Sequence, residues 1–306
     1  MRILFMGTPD FAVASLRRLV EDGHEICGVF TQPDKPKNRG HKLTFSPVKE
    51  YALTQNLDVY QPLKMQDGEA MSIVERLQPE LIVVAAYGKI LPEDILNFPR
   101  LGSINVHSSL LPKYRGAAPI NWAILDGEKE TGVSIMYMAK ALDAGDIILQ
   151  KTTAIGDREN AQQLTERLAA LGADALSETV VALANGTAAR TPQDESKQTY
   201  ASMLSKEMSP IDWTHSAHAI SCQIRGLIPW PCAVTEIIHA QKIKIFDVLE
   251  TGESTSAAPG TIVAAGKAGI DVACGDGKLL RILELQAPGS KRMAASAYLL
   301  GHPISL

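Results

Sequence analysis

The sequence predicts an α/β protein in which an open, mostly parallel sheet is followed by a small β-barrel. In the first half of the chain, short aliphatic runs alternate with amphipathic segments, as they do in βαβ units. A polar stretch interrupts this pattern near residue 190, and strand-like runs between glycine-rich turns follow it. The length of 306 residues exceeds the size at which single cores usually stop growing, so we expect two domains.

The parallel sheet is predicted from aliphatic runs whose lengths suit buried strands. Each run is separated from the next by a segment with helical spacing and a Pro, Ser, Asp or Gly boundary signal. Strands that are covered by helices on both faces show such continuous apolar runs. The predicted strands cover residues 3–6, 26–31, 81–86, 104–107 and 133–137, and the predicted helices cover residues 11–20, 48–55, 70–77, 119–125 and 160–185.

The C-terminal part has short strand signals and a polar boundary in front of them. Five short strands favour a barrel of the five-stranded OB-like type. The predicted strands cover residues 234–238, 243–249, 260–263, 269–274 and 279–285. We therefore expect an α/β domain at 1–189, a linker at 190–208 and an OB-like β-barrel at 209–306.

Composition excludes several classes of protein. A formal net charge of −4 argues against a chain that coats nucleic acid without specificity. No window approaches ~18 uninterrupted apolar residues and no cationic leader precedes the first strand, so we expect a cytoplasmic protein with no membrane segment. The four cysteines are widely scattered, which indicates reduced thiols rather than a zinc site or a disulfide framework. We expect a monomer.

A strand end with two polar side chains is the strongest signal of an active site. Asn105 and His107 are two residues apart, so on a strand they point to the same face, away from the neighbouring aliphatic side chains. Asp143 lies in a short loop that contains a glycine and is the obvious carboxylate to orient the histidine. Amide donor, base and orienting acid together favour group-transfer chemistry, although a lone histidine at a strand end is more often structural.

Other mechanisms have weaker support in the sequence. The first strand-to-helix turn contains Gly7 but lacks the second and third glycines of the dinucleotide fingerprint, and Pro9 removes a backbone donor. Neither a Walker-type motif nor a metal-binding cluster is present, so we expect no metal. Ser108 and Ser109 lack the GxSxG elbow of a serine hydrolase. A noncovalent transfer therefore fits better.

A cluster of cations follows the second predicted strand. Lys35, Lys37, Arg39 and Lys42 are accompanied by one acid, Asp34. In isolation such a run is more often a solvated surface loop. Its place after a strand of an α/β sheet, where ligand-binding loops gather, favours a flexible loop that contacts a polyanion.

Several motifs of the chain resemble those of the folate-dependent formyltransferases, a family that uses an Asn-His-Asp constellation. The resemblance covers the whole length and leaves the three positions Asn105, His107 and Asp143 intact. It is carried by residues 3–12 (ILFMGTPDFA), 31–34 (TQPD), 46–49 (SPVK), 105–116 (NVHSSLLPKYRG), 142–146 (LDAGD), 211–213 (IDW) and 224–231 (IRGLIPWP).

The resemblance implies a Rossmann-like formyltransferase domain, a reaction and roles for the residues. A formyl group would pass from 10-formyltetrahydrofolate to the α-amino group of methionine on an initiator tRNA, by direct attack through a tetrahedral intermediate. Asn105, His107 and Asp143 would be catalytic, with the individual proton transfers left open. The barrel would bind tRNA together with the cationic loop. The folate would be bound by Ser109, Leu110, Leu111 and Pro112, and the tRNA by Lys35, Lys37, Arg39 and Lys42.

Three alternatives remain open at the level of the sequence. A formyltransferase that acts on a purine intermediate or an amino sugar nucleotide would share the three catalytic residues, but it need not have the cationic loop or this C-terminal part. A noncatalytic RNA-binding protein would use the barrel alone. A hydrolase of formyl-folate would use water as the acceptor in place of an amine.

Overall fold

The structure is a computed structural model that describes residues 1–37 and 42–305. Its strands and helices follow in chain order. The strands are β1 (Arg2–Gly7), β2 (Glu25–Phe30), β3 (Lys35–Lys37), β4 (Lys42–Thr44), β5 (Val59–Tyr60), β6 (Leu81–Ala85), β7 (Ser103–His107), β8 (Arg115–Gly116), β9 (Glu130–Tyr137), β10 (Ile147–Ala154), β11 (Tyr200–Ala201), β12 (Ala233–Thr235), β13 (Ile243–Ser254), β14 (Ile262–Gly266), β15 (Gly269–Ala273), β16 (Lys278–Gln286) and β17 (Met293–Ala294). The helices are α1 (Asp10–Glu21), α2 (Pro47–Thr54), α3 (Glu69–Leu77), α4 (Glu93–Leu96), α5 (Pro119–Leu125), α6 (Ala161–Ala184), α7 (Ala217–Gly226) and α8 (Ala295–Gly301).

The chain divides into two compact units. The first consists of Met1–Gly116, Thr131–Thr153 and Thr165–Tyr200. The second consists of Ala117–Glu130, Ala154–Leu164 and the chain from Ala201 onward. Two short segments that precede residue 165 therefore belong to the second unit. The predicted boundaries at 189 and 209 stay a prediction.

The first unit is built on one seven-stranded sheet. The strand order is β10-β9-β7-β6-β1-β2-β5, and the five strands from β7 to β5 pair in parallel. β9 runs antiparallel to β7. Parallel strands must be reached by crossovers, and the helices between them provide these. The α/β class predicted from the alternating pattern is confirmed.

Helix starts in this unit follow from local sequence. Ser46 caps α2, because its Oγ accepts a hydrogen bond from the Lys49 backbone N–H at 3.1 Å, and Pro47 occupies the first turn. In α1, apolar side chains recur at helical spacing and are buried against the sheet, led by Phe11, Leu16 and Leu19. These helices cover the sheet and leave the loops at its carboxyl edge to form a site.

The second unit is built on an antiparallel sheet. Its strand order is β12-β13-β16-β15-β14, and β17 pairs with β16. All of these neighbouring strands run antiparallel to each other. Trp213, Ile224 and Ile245 belong to its buried core, and the Trp213 indole N–H donates to Thr235 Oγ1 at 3.0 Å. All five strands predicted for this part are present.

Several helices and strands of the structure are not predicted from the sequence. Helices α7 and α8 lie among the C-terminal strands, and β5, β10 and the short helix α4 belong to the first half. Their patterns are short or lack a long apolar period, so they give weak sequence signals. The predicted cationic loop is also partly wrong, because the backbone forms the antiparallel ribbon β3–β4 with Lys37 opposite Lys42.

The cysteines are free and buried in all four cases. Burial raises the pKa of each thiol, and it raises the pKa of Cys274 to about 11. Such thiols stay protonated near neutral pH and are poor nucleophiles. Among the described residues, none of the helices combines the length and apolar character that a membrane crossing needs.

Candidate active site

Asn105 and His107 lie at the carboxyl end of β7. This strand pairs with β6 on one side and with β9 on the other, where His107 is opposite Ser134. His107 is 5% exposed and Asn105 is half-buried. The alternation of the strand gives the two side chains the same face. Among the described residues the Asn105 amide shows no hydrogen-bond partner, so its donors are available to a ligand.

The His107 imidazole has one fixed nitrogen and one nitrogen that faces a carboxylate. Nε2 lies 2.9 Å from the Tyr114 carbonyl oxygen, and a carbonyl only accepts, so Nε2 carries a proton and donates. Nδ1 lies 3.7 Å from Asp143 Oδ2, which is close enough for an ion pair but too long for a hydrogen bond. In the neutral ring, Nδ1 is therefore the nitrogen that can accept a proton.

Asp143 is held through its carboxylate and through its backbone. Its Oδ2 accepts a hydrogen bond from the Gly116 backbone N–H at 2.9 Å. Its own carbonyl oxygen, and that of Gly145, each accept from Gln193 Nε2 at 2.8 Å. The backbone at Asp143 is left-handed, with φ of 49°, a conformation that aspartate tolerates better than most residues. The loop is therefore fixed by contacts from outside itself.

Gly145 is required by close packing in the same loop. A Cβ at this position would lie 1.8 Å from the Tyr137 carbonyl oxygen, at the end of β9. No side chain fits there, so the loop backbone rests directly on the strand. The position of Asp143 depends on this approach, because it lies two residues earlier in the same turn.

The segment after His107 is fastened by side-chain hydrogen bonds to its backbone. Ser109 Oγ donates to the Lys113 carbonyl at 2.6 Å. Ser134 Oγ donates to the Ser109 carbonyl at 2.7 Å and accepts from the Leu111 N–H at 3.0 Å. Gln150 Nε2 donates to the Leu111 carbonyl at 2.9 Å and to Ser134 Oγ at 2.8 Å. This loop is preorganised rather than open.

The four residues predicted to bind folate differ in exposure. Ser109 is fully buried and Leu111 is 3% exposed, so their side chains build the loop. Leu110 and Pro112 are half-buried and leave part of their apolar surface open. The roles of all four in binding stay predictions.

Arg115 lies beside these loops, and the family resemblance places it, with Tyr114, at the border of the folate pocket. Its guanidinium is 2% exposed and forms two hydrogen bonds to the Glu195 carboxylate, at 2.7 and 3.1 Å. It also donates to Gln193 Oε1 at 2.8 and 3.1 Å and to Gln198 Oε1 at 2.7 Å. The hydrogen bond with Glu195 raises the pKa of Arg115 and lowers the pKa of Glu195.

Sequence reasoning missed this cluster because its acceptors lie in the polar segment that resembles a linker. Glutamine and glutamate side chains give no apolar period, and the burial of Arg115 is not visible in the sequence. Ser134 could have been found, since a serine between Val133 and Ile135 in a buried strand needs a hydrogen-bond partner.

The structure describes the backbone of three of the four cationic residues in the predicted tRNA site. Lys35, Lys37 and Lys42 lie on the ribbon β3–β4, and Arg39 lies outside the described residues. The base of the ribbon is held by Asp34, whose carboxylate contacts Lys49 Nζ at 2.5 Å and Gln61 Nε2 at 2.9 Å.

The described residues contain no group of three or more His, Cys, Asp or Glu side chains that could hold a metal ion. The chemistry of the site follows from the functional groups that the fold brings together. These are an amide, an imidazole, a carboxylate and backbone groups, a set suited to general acid–base catalysis and to the stabilisation of an oxyanion.

Comparison with known proteins assigns a family to this fold and site. The family model described as "Formyl transferase" matches residues 1–180, and the model described as "Formyl transferase, C-terminal domain" matches residues 203–303. Together they match most of the chain. The chain belongs to the formyl transferase family, and the prediction of a one-carbon group transferase is confirmed.

Two similar relatives carry a more particular name. The methionyl-tRNA formyltransferase of Acetivibrio thermocellus is 47% identical over 306 residues, covering 99% of this chain and 97% of the relative. The methionyl-tRNA formyltransferase of Trichlorobacter lovleyi is 49% identical over 305 residues, covering 100% and 95%. The similarity therefore includes both compact units.

A solved structure supports the fold. WlaRD, a sugar 3N-formyl transferase studied in the presence of dTDP and 5-N-formyl-THF, superposes with a TM-score of 0.71. The match covers 95% of this chain and 99% of WlaRD at 18% identity. At this identity the likeness concerns the fold, and the acceptor must be argued from closer relatives and from the site.

Proposed function

We propose that this protein transfers the formyl group of 10-formyltetrahydrofolate to the α-amino group of methionine carried by an initiator tRNA. The observation that carries the proposal is the 47% and 49% identity, over almost the whole of both chains, to relatives named methionyl-tRNA formyltransferase. Because the identity extends into the C-terminal unit, the proposal gives that unit a part in tRNA binding.

The proposed reaction forms one C–N bond and breaks another. The amine nitrogen attacks the formyl carbon, and the carbonyl electrons move to oxygen in a tetrahedral intermediate. Collapse of the intermediate expels the folate nitrogen, which takes up a proton, while the amine loses one. The products are the formylated methionyl ester and tetrahydrofolate. The Asn105 amide, which has no hydrogen-bond partner in the described part of the chain, is suited to donate to the oxyanion.

His107 is the proposed proton carrier. With Nε2 occupied by the Tyr114 carbonyl at 2.9 Å, Nδ1 would take the proton of the attacking amine and return it to the folate nitrogen. The carboxylate of Asp143, 3.7 Å away, would stabilise the imidazolium between these steps. A movement of less than about 1 Å would turn this contact into a charge-assisted hydrogen bond.

The donor would lie against the loop that follows His107. Leu110 and Pro112 offer apolar surface to a flat pterin, and Ser109 and Leu111 keep the loop in place through their buried contacts. A fixed loop lowers the entropy that binding must overcome. Residues 86–90 follow β6, which pairs in parallel with β7, and the exposed apolar side chain of Ile90 is the proposed second wall.

The tRNA would be held by the cationic residues Lys35, Lys37, Arg39 and Lys42 and by the C-terminal unit. Neutralisation of phosphates by such residues makes binding sensitive to salt. We further propose a cytoplasmic monomer with a catalytic domain at 1–189, a linker at 190–208 and an OB-like tRNA-binding barrel at 209–306.

A direct assay tests the proposal. The purified protein is incubated with 10-formyltetrahydrofolate and methionyl initiator tRNA, and the aminoacyl ester is analysed for a formyl group. Parallel reactions contain a dTDP-linked amino sugar in place of the tRNA, or no amine. Formylation of the tRNA ester alone is expected. Faster formylation of the sugar, or hydrolysis of the donor without an acceptor, would reject the proposal.

A further inference from the structure

Gln193 uses its entire side-chain amide within the first compact unit. Nε2 donates to the carbonyl oxygens of Asp143 and Gly145, both at 2.8 Å. Oε1 accepts from Nη2 and Nε of Arg115, at 2.8 and 3.1 Å. An amide has two N–H donors and two acceptor lone pairs, so every position is used and the orientation of the amide is determined.

The guanidinium of Arg115 also uses all of its hydrogen-bond donors. Its five N–H groups are used by Gln193, by the paired oxygens of Glu195 and by Gln198. The two parallel bonds to Glu195 have the fork geometry that makes arginine–carboxylate pairs directional. The backbone N–H of Arg115 donates to the Thr199 carbonyl at 2.8 Å. The segment 193–199 therefore holds both the side chain and the backbone of Arg115 by hydrogen bonds.

The neighbours of Arg115 in the chain hold the proposed catalytic groups. Tyr114 precedes it and accepts from His107 Nε2 at 2.9 Å. Gly116 follows it and donates to Asp143 Oδ2 at 2.9 Å. Gln193 then joins Arg115 to the main chain of Asp143. The imidazole and the carboxylate are thus anchored on either side of one clamped arginine.

We propose that Gln193 and Arg115 are positioning residues, which set the distance between His107 Nδ1 and Asp143 Oδ2. For its activity readout this inference rests on the proposed function. The pair stands at 3.7 Å, so a small displacement of the Asp143 loop decides whether the carboxylate can pair with the imidazolium. The left-handed backbone of Asp143, with φ of 49°, needs outside contacts of this kind.

The substitution Gln193→Glu tests the contacts of Gln193 with the Asp143 loop separately from its contacts with Arg115. The substitution keeps an oxygen toward Arg115 and replaces the NH₂ group by an oxygen that faces two carbonyl oxygens. We expect kcat to fall by about 10²-fold, the usual cost of a displacement near 1 Å. The KM values for folate and tRNA should stay near those of the parent, because no substrate contact is removed.

Ser196→Ala is the matched control in the same segment. Ser196 Oγ donates to Asp194 Oδ1 at 2.6 Å, and among the described residues Ser196 forms no hydrogen bond with Arg115 or the Asp143 loop. Its kcat should equal that of the parent. If Gln193→Glu does not fold, Gln193→Met removes the amide donors and the Oε1 acceptor together without adding charge, and its kcat and ring resonances are compared with those of Ser196→Ala.

The ¹⁵N resonances of the His107 ring give a readout that needs no substrate. In the parent and in Ser196→Ala they should report one tautomer with the proton on Nε2, and in Gln193→Glu they should change. A folded Gln193→Glu protein with parental kcat and parental ring resonances would overturn the inference. If the parent fails to formylate methionyl-tRNA, the proposed function is rejected. The ring resonances would still test whether Gln193 and Arg115 position His107 and Asp143.

Discussion

Two loops leave the carboxyl edge of the same parallel sheet and are built in opposite ways. The loop after β7 is held by hydrogen bonds along its length, which involve Ser109, Leu111, Tyr114 and Gly116. The segment after β2 continues into the ribbon β3–β4 and is held at its base by the contacts of Asp34. The loop after β7 is rich in hydrogen bonds to the rest of its unit, whereas the segment after β2 is rich in positively charged residues.

The difference follows from what each loop is proposed to do. Acid–base chemistry needs atoms held to within a fraction of an ångström, so the loop after β7 is supported by Ser134, Gln150 and Gln193 from other parts of the unit. Contact with a polyanion depends on the number of positive charges and their approach. Substitutions in the first loop should therefore change turnover, and substitutions in the ribbon should change affinity and its salt dependence.

The largest effect is expected for Asp143→Asn. The substitution removes the negative charge that stabilises the imidazolium and should lower kcat by about 10²–10⁴-fold, the range of general acid–base contributions. Asp146→Asn is the matched control, since Asp146 lies in the same loop but pairs with Arg190 at 3.5 Å. Single-turnover formyl transfer compares the two. A rate of formyl transfer equal to that of the parent in both variants would remove Asp143 from the mechanism.

Asn105→Ala should have the next largest effect. Loss of one oxyanion donor typically lowers kcat by about 10²–10³-fold, with little change in ground-state binding. The Asn105 amide has no partner among the described residues, so its removal should leave thermal stability close to that of the parent. Steady-state kinetics and thermal unfolding are measured together. A normal kcat, or a large loss of stability, would contradict the role of oxyanion donor.

Substitutions of the four cationic residues predicted to bind tRNA should act on tRNA binding alone. Removal of Lys35, Lys37, Arg39 or Lys42 should raise the KM for tRNA and reduce the slope of log affinity against log salt by about 1 for each phosphate that is no longer neutralised. The KM for folate and the kcat should be unaffected. Lys140→Ala is the control, because its ammonium already pairs with Glu93 at 3.2 Å. An unchanged salt slope in the fourfold variant would exclude these four residues from tRNA binding.

The smallest effect concerns the pH dependence of stability. Arg115 lowers the pKa of Glu195 in the folded protein, so the stabilisation is present above the ordinary glutamate pKa of about 4.3 and is lost as pH falls through the lower folded value. The melting temperature of the parent should exceed that of Glu195→Gln near neutral pH. The gap should close in acid below about pH 4. A gap that is constant with pH would show that the charge of Glu195 plays no part.

The sequence alone determined the alternating α/β pattern, the five C-terminal strands and the candidate residues Asn105, His107 and Asp143. These depend on local signals, because strand and helix periods and the spacing of polar residues on one strand are properties of short segments. The family resemblance added an expected acceptor and donor. The roles of the site residues stay predictions.

Only the tertiary structure decided what supports the site. It puts a left-handed turn at Asp143, seats Gly145 against Tyr137 and buries Arg115 among acceptors from the polar segment 193–198. It also pairs residues 35–37 with 42–44 into a ribbon. These features arise from contacts between segments far apart in the chain, whose local patterns carry no signal of the partner, so they become visible when the chain has folded.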